Sequence, residues 1–121
     1  MKEEKESRLV GTVESHILKA CLDLLESLRR AGKPIIATRT NSGKVQTIRG
    51  QWIKLCDAGT GDIMACIAGV PVMIETKCGR NGQEDTQIAT QRKWEAAGGV
   101  YLLVNKISDL RDYLRGEALL L

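Results

Sequence analysis

Asp62, Glu75 and Lys77 bracket an apolar stretch that reads GDIMACIAGVPVMIETK from Gly61 to Lys77. A carboxylate opens one apolar run, and a carboxylate and a lysine close the next. Acidic groups sit badly in so apolar a segment unless something cationic holds them there. The simplest arrangement is a divalent metal on the two carboxylates with the ammonium of Lys77 beside it. Such a site is suited to cutting a phosphodiester.

Whether the three side chains meet is a question of parity. If Ile63–Ile67 and Val70–Ile74 form an antiparallel hairpin with Ala68 and Gly69 as a two-residue loop, Asp62 stands opposite Glu75. Their Cβ atoms would then be roughly 4.5–5.5 Å apart. Lys77, two residues further on, projects from the face of Glu75. Like charges directly opposed are destabilising, and a hard cation with oxygen ligands would turn that repulsion into a site. A four-residue loop would instead oppose Met64 to Glu75. A hairpin whose ends carry solvated charges accounts for the same three residues.

Other residues could join this chemistry. Glu14 lies beside the apolar stripe of the first predicted helix, as a solvated surface acid or as a third carboxylate reaching the metal directly or through water. Gln87 and Gln91 are four apart on a second predicted helix and share a face that Trp94 continues. They are either exposed amides or groups that orient water, lysine or phosphate. Arg39, Lys44, Arg49, Arg80, Arg92 and Lys93 are commonplace charges that could track phosphates. His16 is the sole histidine, and no elbow motif supplies it with a nucleophile. The glycines of DAGTGD lack the lysine and the spacing of a phosphate-binding loop.

The elements that must position these groups follow from hydrophobic period and punctuation. Val10, Val13, Ile17, Cys21, Leu24 and Leu28 predict a helix over 7–31, stopped by Gly32. PIIATRT predicts a strand at 34–40, and part of 44–55 a second strand, with Gly50 as a bulge or break. The 63–67 and 70–74 hairpin follows. A helix over 84–97 ends at Gly98-Gly99, and VYLLVN at 100–105 is a buried strand. Ser108 is the expected N-cap of a last helix over 109–115. The GEALLL tail could pack on the body, pair with a second copy or be disordered. The order αββββαβα implies an α/β or α+β fold, a mixed central sheet flanked by helices.

Composition sets bounds on function. The length of 121 residues suits one domain, with 1–6 and 117–121 as flexible tails, and 43% hydrophobic residues suffice for a core without disulfides. The net charge of +3 permits nucleic-acid binding without demanding it. Aromatics are scarce, with no Phe, so duplex or branched backbone is a better expected contact than stacked single strands. Cys21, Cys56, Cys66 and Cys78 show no CxxC spacing and read as reduced, mostly structural thiols in a cytosol. No apolar run spans a bilayer, and the MKEEKESR start has no signal core.

The ordered set of motifs resembles the VRR-NUC domain, the virus-type replication-repair branch of the PD-(D/E)XK nuclease superfamily. Glu14 on the first helix is followed by RTNSG (39–43), GTGDI (59–63), IETK (74–77), GRNGQEDTQ (79–87) and AAGGVY (96–101). The resemblance runs from about Glu14 to Tyr113. It implies a restriction-endonuclease-like core and a metal-dependent endonuclease, selective for Holliday or other branched junctions and leaving a 5′-phosphate. Asp62 and Glu75 would then bind Mg²⁺ or Mn²⁺, with the backbone carbonyl of Thr76 as a further ligand and Glu14 as an added acid. Lys77 would be the catalytic lysine and Gln87 the helix glutamine. Arg39, Asn41, Ser42, Lys44, Arg80 and Gln91 would contact DNA. A homodimer in a viral or bacterial host cytosol is the expected state, with Leu119–Leu121 and parts of the first helix as candidate interface. The chain departs from the family at two positions: Gly61 stands where proline or serine is common, and Glu84 where serine or threonine often caps the glutamine helix. A nonspecific or nicking nuclease, or a non-catalytic DNA- or protein-binding module, are the alternatives.

Overall fold

The computed structural model describes residues 2–40, 44–78 and 82–121, with 2–12, 44 and 54 as backbone. It contains three helices and six strands in the order α1 (Lys2–Arg30), β1 (Ile35–Arg39), β2 (Lys44–Gln46), β3 (Trp52–Lys54), β4 (Ile63–Ile67), β5 (Val70–Thr76), α2 (Asp85–Ala96), β6 (Val100–Val104) and α3 (Ile107–Gly116). The architecture is mixed α/β, with a mixed sheet.

The turn at Ala68-Gly69 sets the register of the central hairpin. Both residues have positive φ, 51° and 83°, as a tight two-residue hairpin loop requires. Ile67 therefore pairs with Val70 and Ile63 with Ile74, the parity expected from sequence. β1 adds to β4 antiparallel, with Arg39 opposite Ile63. α2 then carries the chain over to β6, which lies parallel to β5 with Thr76 opposite Val104. The resulting strand order is β1-β4-β5-β6.

One face of this sheet carries the core. Ile35, Ile63, Ile67, Val72, Ile74 and Val104 pack against Leu18, Cys21 and Leu25 of α1 and Leu110 and Leu114 of α3. Alternation hides two more residues of β5, Met73 and Glu75, on the opposite face, so the strand is buried on both sides. The Cys21 thiol sits inside the core, and burial, helped by the charges of Asp109 and Asp62, pushes it up to about 11.

Several expectations are corrected. The 44–55 segment is two short strands, not one. Gly50, with φ +83°, closes the loop of a β2–β3 hairpin that forms its own two-stranded sheet. The order is thus αβββββαβα. The buried stripe of α1 centres on Leu18, Cys21 and Leu25, while Val13 and His16 are exposed. Ser108 is not the N-cap of α3. Lys106 holds that place, and Asp109 Oδ2 accepts the N–H groups of Asn105 and Lys106 at 2.9 and 3.3 Å. Cys66 is exposed, not structural, because it alternates with the buried Ile67. In the tail, Leu119 enters the protein's own core and Leu121 is exposed. Among the described residues, no helix is long and apolar enough to cross a membrane.

Candidate active site

A pocket of about 170 Å³ opens where β4 begins and β5 ends, lined by Glu14, Arg39, Asp62, Glu75 and Thr76 together with Ser15 and Leu18. Each side chain arrives on a different part of the fold. α1 brings Glu14, Ser15 and Leu18, the end of β1 brings Arg39, and the hairpin brings Asp62, Glu75 and Thr76.

Asp62 is fixed from both sides of its own residue. Its carbonyl accepts the Thr40 N–H at 2.9 Å. Its carboxylate Oδ2 accepts the backbone N–H and the hydroxyl of Thr76, each at 2.8 Å. Thr40 also bonds through its hydroxyl to the Gly61 carbonyl. Gly61 itself is dictated by packing. A Cβ there would lie 2.7 Å from Met73 Cγ and 2.8 Å from the Ile74 carbonyl oxygen, and the Met73 sulfur accepts the Gly61 N–H at 3.2 Å. Proline or serine could not occupy this position without displacing β5.

Glu75 is 5% exposed. Its Oε1 accepts the Gln87 side-chain N–H at 2.8 Å and lies 3.9 Å from Lys77 Nζ. Lys77 is itself largely buried, and its backbone N–H bonds to the Val104 carbonyl at 2.9 Å. Burial first, then the charges of Asp62 and Glu14, push the Glu75 carboxyl up to about 7, against the opposing pull of Lys77 and Gln87. Burial and the nearby Glu75 charge likewise raise Tyr101 to about 12, so it stays a neutral phenol.

Gln87 is held as firmly as it holds. Its Oε1 accepts the N–H of Glu84, the N-cap of α2, at 2.8 Å, which leaves the amide nitrogen aimed at Glu75. The bond to Glu84 is the Gln87 half of a capping box at the start of α2. Glu14 accepts the Cys78 N–H at 3.1 Å, which ties α1 to the end of β5.

The expected residues therefore divide. Glu14, Arg39, Asp62, Glu75, Lys77 and Gln87 come together. Gln91 does not join them by its hydrogen bonds, which run from Gln83 and to Glu95. Lys44 lies in the separate β2–β3 sheet. Asn41, Ser42 and Arg80 fall outside the described residues. The Thr76 side chain was missed, since the sequence drew attention only to its carbonyl. Its signal was a hydroxyl next to Glu75 at the end of a strand, too ordinary to single out.

No protein-family model matches the chain, and no curated protein matches it.

The pocket's donors suit a hard cation. They are oxygens, which Mg²⁺ and Mn²⁺ prefer, and the ionisation of Glu75 is penalised in a way that a cation would relieve. Among the described residues, no three His, Cys, Asp or Glu side chains form a ready ligand set. The fit rests on Asp62 and Glu75 completed by backbone oxygen and water, with Glu14 lining the same pocket.

Proposed function

We propose that this chain is a metal-dependent DNA endonuclease of VRR-NUC type with a PD-(D/E)XK core, acting on branched DNA such as Holliday junctions. One observation carries the reading. A buried glutamate shares a pocket with a second carboxylate, while a buried lysine stands 3.9 Å away and an oriented glutamine 2.8 Å away. A structural ion pair would need the lysine and one acid. The second acid adds repulsion, and that repulsion is useful where a divalent cation binds.

Asp62 and Glu75, with the Thr76 carbonyl, are the residues that would hold Mg²⁺ or Mn²⁺, and Glu14 would act through water. Such an ion, when bound, lowers the pKa of water and neutralises phosphate charge. Thr76 keeps one Asp62 oxygen engaged, so that the other is free to turn to the pocket. Lys77 places an ammonium beside the carboxylates, where it can position the nucleophile and stabilise charge developing on the phosphate. Gln87 fixes the orientation of Glu75. Arg39, at the pocket wall, offers a planar guanidinium to a neighbouring phosphate.

The test is cleavage of a four-way junction with Mg²⁺ or Mn²⁺, compared with duplex and single strand at matched salt. Asp62→Asn and Lys77→Ala should each lower the rate at least about a hundredfold. Cutting at the parental rate by both variants would refute the assignment. Equal cutting of all three substrates would point to a nonspecific nuclease.

A further inference from the structure

The chemistry above leaves the β2–β3 hairpin unused, although both its feet stand at the pocket. The excursion leaves at Thr40, bonded to Gly61 and Asp62, and returns at Gly61. On the way back the Thr90 hydroxyl of α2 bonds to the Ala58 carbonyl at 3.2 Å. From Thr40 to the tip at Ile48 the chain spans at most about 28 Å, less than one turn of duplex.

None of the hairpin's described side chains is buried, and several are apolar. Val45, Trp52 and Ile53 are exposed, and Ile48 at the tip fully so. The tip is closed by its own hydrogen bonds. Thr47 N–H bonds to the Gln51 carbonyl at 2.8 Å, Gly50 N–H to the Thr47 carbonyl at 2.9 Å, and Gln51 N–H to the Thr47 hydroxyl at 3.1 Å. A two-stranded ribbon with no covering layer is marginal in water and gains from a partner.

Charge says which partner. Residues 33–56 hold five cations, Lys33, Arg39, Lys44, Arg49 and Lys54, and no carboxylate, so the rest of the chain is net negative. The register sets Lys44 opposite Lys54.

We propose that this hairpin is the branch-reading element of the enzyme. Arg49 engages phosphate, while Ile48 and Trp52 wedge against and stack on bases left unpaired at a DNA branch point. Apolar wedges at base steps and aromatic stacking on splayed bases are established ways of holding distorted nucleic acid. The proposal rests on the nuclease reading for its choice of DNA, and it names residues outside the catalytic pocket.

The experiment measures binding of a fluorescent four-way junction and of a linear duplex in EDTA, where no strand is cut. Trp52→Ala and Ile48→Ser should each weaken junction binding about tenfold and duplex binding much less. Arg49→Ala should weaken both substrates and lower the salt dependence by about one ion. A 2-aminopurine unpaired at the branch point should be quenched on binding the parent and not on binding Trp52→Ala. Ile48 is fully exposed, so its replacement tests the idea without disturbing the fold.

Parental junction affinity in both Ile48→Ser and Trp52→Ala would overturn the proposal. Conversion of a dimer to a monomer by these variants in light scattering would also overturn it, by making the hairpin an interface between copies. Cutting that needs Asp62 and Lys77 but ignores the hairpin would sink this inference and spare the nuclease reading. Hairpin-dependent junction binding without any cutting would do the reverse.

Discussion

The side-chain amide of Gln87 bridges two parts of the fold: its oxygen takes the Glu84 N–H that starts α2, and its nitrogen donates to Glu75 on β5. One residue thus ties the start of a helix to the most deeply buried acid of the pocket. Gln87→Ala removes both bonds. Because the bond to Gln87 favours the charged form of Glu75, its loss drives the carboxyl further upward. A hydrogen bond to a charged group contributes about 1.5–3 kcal/mol, so Mn²⁺ affinity at pH 7 should fall at least about tenfold. Titration calorimetry would show this, and unchanged affinity would contradict it.

If the pocket takes up metal as proposed, the raised Glu75 carboxyl makes that uptake pH-dependent. With a pKa of about 7 in the folded protein against an ordinary 4.5, Mn²⁺ must displace a proton below pH 7. Apparent affinity should fall about tenfold per pH unit below that point and level off above it. Stability of the metal-free protein follows from the same shift. Between pH 4.5 and 7 the folded state binds more protons than the unfolded state, so this group's contribution diminishes as pH rises and is gone above 7. Thermal melts in EDTA at a series of pH values, repeated with Glu75→Gln, would reveal it. The variant should lack this component.

Gly61→Ala tests the close packing under Asp62. The added methyl would sit 2.7 Å from Met73 Cγ and 2.8 Å from a backbone oxygen of Ile74. Overpacking of this kind costs about 1–3 kcal/mol. Adding Met73→Ala should recover only part of the loss, because the Ile74 carbonyl remains. Denaturant titration of both variants would check this.

Leu119→Ala distinguishes the tail's two expected roles. Leu119 is 8% exposed within the core cluster, so its truncation should cost about 2–4 kcal/mol and leave the oligomeric state alone. Leu121, fully exposed, should tolerate alanine. Light scattering that showed Leu119→Ala dissociating a dimer without loss of stability would favour the interface role.

The parts of this molecule legible in its sequence are those under a tight local constraint. Ala68-Gly69 admits few loop geometries, so the register that brings Asp62 to Glu75 could be counted out. Gly32 and Gly98-Gly99 stop helices wherever the chain then goes. What escaped depends on neighbours that sequence does not display. Val45 and Ile53 look like a buried strand, yet both are exposed among the described residues. Gly50 could mark a bulge or a turn, and only the pairing of Gln46 with Trp52 decides. Ser108 has the chemistry of a cap, but Asp109 reaches back and moves the helix start two residues earlier, to Ile107. Cys66 lies in an apolar strand on the side the core does not use. The Thr76 hydroxyl matters because Asp62 turns toward it.

The clasp of Thr40 on Gly61 and Asp62 separates two kinds of change. The part of the insert before Ala58, which Thr90 ties to α2, can lengthen, shorten or be exchanged while the strand ends beneath it keep their positions. On the proposed nuclease reading, substrate preference and catalysis are then altered independently, and a chimera carrying a foreign insert between residues 40 and 57 should inherit the insert's preference and this pocket's chemistry.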